Sequence, residues 1–124
     1  MSNWLWPGSV VTHVVDGDTF DAMVTRDLGF DGTATFPIRL RLNRINCPPA
    51  KTVEGQAATS AASQMLMGTP TVLIETLRTY KYGGGEHSEW MAEVTLPTGR
   101  NVSDELVAQG HAVFWDGTGP RPGG

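Results

Sequence analysis

With 124 residues, 40% of them hydrophobic and 18% charged, the chain has the size and balance of one globular domain with a real core. A formal net charge of −4 excludes a global positive field for nucleic acid, so any phosphate-binding surface must be a local cluster. The single cysteine, Cys47, excludes an internal disulfide and a cysteine-based zinc site.

The opening "MSNWLWPGS" has neither a basic nor an apolar stretch of the kind a signal peptide needs. No window approaches the roughly 20 apolar residues that span a bilayer. The expectation is a soluble, intracellular protein with no membrane partner. Residues 1–8 read as an N-terminal arm, 9–115 as the domain, and 116–124 as a flexible Gly/Pro tail with nothing to pack.

"SVVTHVV" (9–15) is rich in β-branched residues and predicts a strand. "DGDT" turns the chain, and "TFDAMVTRDL" resumes the alternation, so the two form a hairpin. After "FDGT", "ATFPIRLRLNRI" predicts a third strand, with Ile38, Leu40 and Leu42 on one face and Arg39, Arg41 and Asn43 on the other. "EGQAATSAASQMLM" (54–67) is a helix with Ala57, Ala58, Ala61, Met65 and Leu66 at helical spacing, stopped by Gly68 and Pro70.

"TVLIETLR" (71–78) and "EWMAEVTL" (89–96) are two more strands flanking the glycine-rich loop "YKYGGGEHS". "SDELVAQ" is a short helix with Ser103 as N-cap and Gly110 as its C-terminal stop. "HAVFW" is a last extended piece. The order predicts a mainly β chain with helices, an α+β fold built on a five-stranded OB-type barrel.

Three stretches carry candidate chemistry. "DGDT" is a hairpin turn from which Asp18 can reach out as a hard-oxygen ligand for Ca²⁺ or Mg²⁺. Arg39 and Arg41 share a strand face, with Arg44 beyond, and suit phosphate recognition as well as they suit a solvated basic face. Tyr80, Lys81 and Tyr82 can stack bases and hold a phosphate, or simply precede a mobile loop. His13, His87 and His111 lie at no metal-binding spacing.

Taken in order, "VVDGDTF", "RLRLNRINCPP", "EGQAA", "KYG" and "WMAEVTLPTGRNVSDELVAQGHAV" resemble the staphylococcal-nuclease-like (thermonuclease) family over about residues 9–115. That resemblance implies a site with Ca²⁺ held by aspartates and a backbone carbonyl. A glutamate base and two arginines on the scissile phosphate complete it. On the matching positions Asp18 becomes a metal ligand, with Asp16 an outer-sphere partner. Asn46 stands where the family has a second aspartate, keeping an oxygen but losing a charge. Cys47 supplies its backbone carbonyl, so its side chain is expected to matter little. Arg41 is the first catalytic arginine, and Arg39, Lys81 and Tyr82 are substrate-binding candidates.

Two positions depart from the pattern. Pro49 takes the place of the glutamate base, and no acid follows until Glu54. The second arginine falls on Gly84 or on Glu89, depending on which flank is aligned, with Arg78 a substitute only if its strand end folds over. The family's third helix has no counterpart in "DGTGPRPGG" either. Apolar surface near Val113, Phe114 and Trp115 is therefore expected to be open to a protein partner, to self-association, or to the Trp-rich start folding back.

The resemblance thus implies a catalytically impaired nucleic-acid-binding or structural module, with a weakened Ca²⁺ site and single-stranded nucleic acid as a partner. The alternative is an active Ca²⁺-dependent endonuclease acting on DNA or RNA. Small stand-alone versions of this domain occur in phages of actinobacteria, and seven arginines against two lysines suit a high-GC origin. The expected location is the host cytoplasm or a phage particle.

Overall fold

The computed structural model describes residues 4–79 and 89–116. The elements run β1 (Trp4–Asp16), β2 (Thr19–Asp27), β3 (Thr33–Leu42), β4 (Ile45–Asn46), α1 (Val53–Met67), β5 (Val72–Thr79), β6 (Glu89–Thr95), α2 (Val102–Ala108) and β7 (Val113–Phe114). Five of the strands close a barrel in the order β1-β2-β3-β6-β5, β5 returning to β1, while β4 and β7 form a separate two-stranded pair. The fold is mainly β with two helices among the described residues, an OB-type barrel.

Alternation builds the core. Phe20, Ala22 and Val24 of β2 point inward, as do Leu40 and Leu42 of β3, Val72 and Ile74 of β5, and Ala92 and Val94 of β6. Ala58, Ala62 and Leu66 of α1 and Val102 and Leu106 of α2 join the same core. Ala57, expected on the buried face of α1, is exposed, and Ala62 takes that face instead. The helix starts at Thr52, whose hydroxyl accepts the Gly55 N–H at 2.9 Å. Gly55 is where the chain passes closest: a Cβ there would lie 1.8 Å from the Pro49 carbonyl oxygen.

Three expectations about the elements are corrected. Residues Trp4–Gly8 are not an arm but the first part of β1, with Trp4 opposite Thr76 and Trp6 opposite Ile74 of β5. The third strand ends at Leu42, because Arg44 adopts φ +69° and turns the chain into β4. The N-cap of α2 is Asn101, whose side chain accepts the Asp104 N–H at 3.0 Å; Ser103 lies inside the helix, its hydroxyl donating to the Asn43 carbonyl. Asn is as good a cap as Ser, and the earlier position leaves Ser103 to face the barrel.

Candidate functional site: a buried arginine–aspartate pair at the barrel end

The β1–β2 turn and the end of β3 meet through the antiparallel register that sets Thr19 opposite Arg41. The Leu42 N–H donates to the Asp18 carbonyl at 2.8 Å and fixes the turn against the strand. Gly17 is needed at this contact, since a Cβ there would come within 2.8 Å of both Ala58 Cβ and Cys47 Sγ.

Within this frame Arg41 Nη1 lies 2.7 Å from Asp18 Oδ2. The same carboxylate oxygen accepts the Cys47 N–H at 3.0 Å, and Oδ1 accepts the Thr19 hydroxyl at 3.2 Å. Arg41 Nη2 donates to the Ile45 carbonyl at 3.3 Å and to Asn46 Oδ1 at 3.2 Å. Arg41 is only 2% exposed and Asp18 only 3%. Trp115 adds an aromatic wall, its ring centroid 5.8 Å from the Arg41 guanidinium carbon. A basic side chain expected on a solvated or substrate-facing strand surface is therefore part of the interior.

Charge is shared unevenly between the two aspartates. Burial alone would raise the pKa of Asp18. Hydrogen bonding with Asp16, the Arg41 charge and the Cys47 N–H outweigh it and hold Asp18 below the ordinary carboxylate value. Asp16 moves the other way, to about 6, because burial and the neighbouring Asp18 both disfavour its charge. Its Oδ1 accepts the Asp18 N–H at 3.1 Å. Burial, then the two carboxylates, push the Cys47 thiol up to about 12, so it is a neutral packing group rather than a nucleophile. That side chain sits in the hydrophobic core, contrary to the expectation that only its backbone counts.

Asp16, Asp18, Arg41, Asn46 and Cys47 are thus brought together. Arg39 is not part of that group: it makes a two-point pair with Asp21, Nε to Oδ1 at 2.7 Å and Nη2 to Oδ2 at 3.0 Å. Glu89 is opposite Arg39 in the β3–β6 register, and Glu54 is exposed in the first turn of α1. Arg78 is exposed near the end of β5. Lys81, Tyr82 and Gly84 lie outside the described residues. Among the described residues no group of three or more His, Cys, Asp or Glu side chains is placed to hold a metal.

A second polar cluster, centred on Arg44, was not foreseen. Its guanidinium holds Glu93 of β6 through two bonds, of 2.7 and 3.0 Å, and reaches Asp104 at 2.9 Å. Asn43 and Asn101 also donate to Glu93, at 2.8 and 2.9 Å. The Arg44 carbonyl accepts the Trp115 N–H at 2.7 Å. The cluster ties the β3–β4 turn to β6, α2 and the β7 segment. Glu93, an acid within the predicted strand 89–96, is the hint of it that the sequence offers.

Val113 and Phe114 of β7 are exposed while Trp115 is half-buried against the Arg41 end. Trp4 and Trp6 do not serve as a cover there but pack with Arg26 and Phe36. No protein-family model matches the chain, and no curated protein matches it. Among the described residues no helix is long and apolar enough to cross a membrane.

Proposed function

We propose that the chain is a staphylococcal-nuclease-like barrel with an incomplete catalytic site. It acts as a structural or nucleic-acid-binding module, of a kind suited to a phage particle, and not as a phosphodiesterase. The observation that carries this reading is the buried Arg41–Asp18 pair. The arginine that should meet a phosphate is spent on the aspartate that should meet a cation.

The rest of the strand end supports the same reading. Pro49 offers no base, which typically costs about 10²- to 10⁴-fold. A missing charge-stabilising donor costs roughly another 10²- to 10³-fold. Arg39, Arg41 and Arg44 are each paired with a carboxylate, from Asp21, Asp18 and Glu93 respectively, so phosphate has to compete with an internal partner at every one. This favours the structural role over nucleic-acid binding.

One observation favours the other reading, an active Ca²⁺-dependent endonuclease. Oxygens from Asp18, Asn46 and Ile45 all converge on the Arg41 guanidinium, an arrangement that would also suit a hard cation were the arginine to swing away. Digestion of single-stranded DNA and RNA with and without millimolar Ca²⁺ separates the two, with Asp18→Ala as the contamination control. No cleavage above the control is expected. Ca²⁺-dependent cleavage that the control lacks sinks the impaired reading.

A further inference from the structure

At the end of the barrel away from Arg41, the wall is split. β1 pairs with β2 only from Val10 to Asp16, and its earlier residues leave to pair with β5. Gly8, at φ +70°, makes the bend. β2 runs on to Asp27 with β3 on one side and, among the described residues, no strand on the other. An open groove of about 790 Å³ lies between Trp4–Pro7 and Thr25–Asp27 and reaches Asp31 in the β2–β3 hairpin. That is within the roughly 300–1,000 Å³ of ordinary ligand sites.

The groove carries polar groups that the fold leaves unspent. Trp6 Nε1 donates to Thr76 Oγ1 at 3.0 Å, whereas the indole N–H of Trp4 has no acceptor among the described residues. Trp4 is 49% exposed even with the Arg26 guanidinium carbon 3.7 Å from its ring centroid. Arg39, Arg41 and Arg44 each hold a carboxylate, but Arg26 forms no ion pair among the described residues. Asp27 Oδ1 accepts the Gly29 N–H at 2.7 Å, and neither Asp27 nor Asp31 meets a cation among the described residues. The Leu28 N–H donates to the Gly32 carbonyl at 2.9 Å and closes the hairpin that presents Asp31. Donors and acceptors thus stand side by side next to an aromatic ring.

This set of groups discriminates by ligand class. Arg26 already occupies the tryptophan face that would attract a cation, and repels one. A phosphate or a nucleic-acid strand would meet two carboxylates against one arginine. For strand addition the open edge is short: Val24 to Asp27 is three steps, roughly 10 Å, against about five or six residues in an ordinary strand. A neutral polyhydroxylated ring is opposed by none of these. Its weakly positive C–H face suits the negative face of an indole. Its neighbouring hydroxyls each donate and accept, and so suit a guanidinium, an indole N–H and carboxylates in one place.

We propose that this groove binds a neutral oligosaccharide, with Trp4 as the stacking platform and Arg26, Asp27 and Asp31 as partners of its hydroxyls. The site is at the opposite end of the barrel from the Arg41–Asp18 pair and does not depend on how that pair is read.

The test is a titration of the full ¹⁵N-labelled chain with neutral tetrasaccharides of glucose, mannose, galactose and N-acetylglucosamine, followed through backbone amide and indole resonances. At least one sugar is expected to bind at millimolar concentration or below. It should move the Trp4 indole N–H and the amides of Thr25, Arg26 and Asp27, with an affinity unchanged from about 0.1 M to about 1 M salt. Trp4→Ala should weaken binding at least about tenfold, while Trp4→Phe, which keeps an aromatic face, retains most of it. Asp31→Asn is the second variant, outside the barrel and at a φ of +59° that asparagine tolerates, and should weaken binding at least about threefold. A panel that moves none of these resonances overturns the proposal. So does binding indifferent to both Trp4→Ala and Asp31→Asn, or movement of these resonances by single-stranded DNA or a proline-rich peptide in place of the sugars.

Discussion

Arg41 Nη1 is 2.7 Å from Asp18 Oδ2, and that same oxygen takes the Cys47 N–H at 3.0 Å. One carboxylate thereby holds the end of β3, the β1–β2 turn and the start of the segment after β4 at a single point. Its removal should be felt as a loss of fold, not merely of ligand.

Arg41→Ala should cost about 3–5 kcal/mol, because it leaves Asp18 charged, buried and without its cation. Chemical denaturation measures it. An arginine that only meets substrate would cost a fraction of that. The variant also vacates the point on which the Asp18, Asn46 and Ile45 oxygens converge, so millimolar Ca²⁺ should restore part of its stability.

Asp16 supplies a pH dependence. Its pKa is raised in the fold from the ordinary 3.8 to about 6, so the folded state binds the extra proton. The stabilisation is full below the unfolded value and is lost as pH rises through about 6. Asp18, shifted down, works oppositely and loses stability only in stronger acid. Asp16→Asn should therefore raise the melting temperature at pH 7.5 and flatten its dependence between pH 4 and 6. An unchanged slope in that window would show that Asp16 is not the group that titrates there.

Glu93→Ala should cost about 1–3 kcal/mol, since it leaves donors on Asn43, Arg44 and Asn101 with no acceptor. Burial would raise the Glu93 pKa, but Arg44 and the two asparagines hold it below the ordinary value, so the acid stays ionised in the cluster. A double-mutant cycle with Arg44→Ala should give a coupling energy well above that of an exposed pair.

Gly55→Ala gains helix propensity but drives a Cβ to 1.8 Å from the Pro49 carbonyl oxygen. The collision dominates, and a net loss of about 1–3 kcal/mol is expected in thermal or denaturant melts.

The barrel was legible because apolar and polar residues alternate along much of β2 and β3, and glycine or proline stands near most strand ends, the end of β3 excepted. Leu40 and Leu42 could be placed on one inward face of β3 from spacing alone. The residues that gather at the barrel end were also legible, through the order of their motifs. What spacing could not reveal was their state. Arg41 reads as an outward residue of β3, and long-range contacts, among them Asp18, Ile45, Asn46 and Trp115, make it interior. The first part of β1 was missed for a similar reason: Pro7 and Gly8 suggest an ending, whereas here they mark the bend where the strand changes partners from β5 to β2.

The most direct test of the Arg41–Asp18 pair as a structural replacement for a cation site is the melting temperature of the wild-type chain with and without millimolar Ca²⁺. A ligand that binds only the folded state must stabilise it, by about 2.7 kcal/mol at a hundred times its dissociation constant. No shift is predicted for the wild type, because both Asp18 oxygens are already taken by Arg41, Cys47 and Thr19. A clear Ca²⁺-dependent rise that disappears in Asp18→Asn would contradict it, and would mean that the arginine yields its place to the metal.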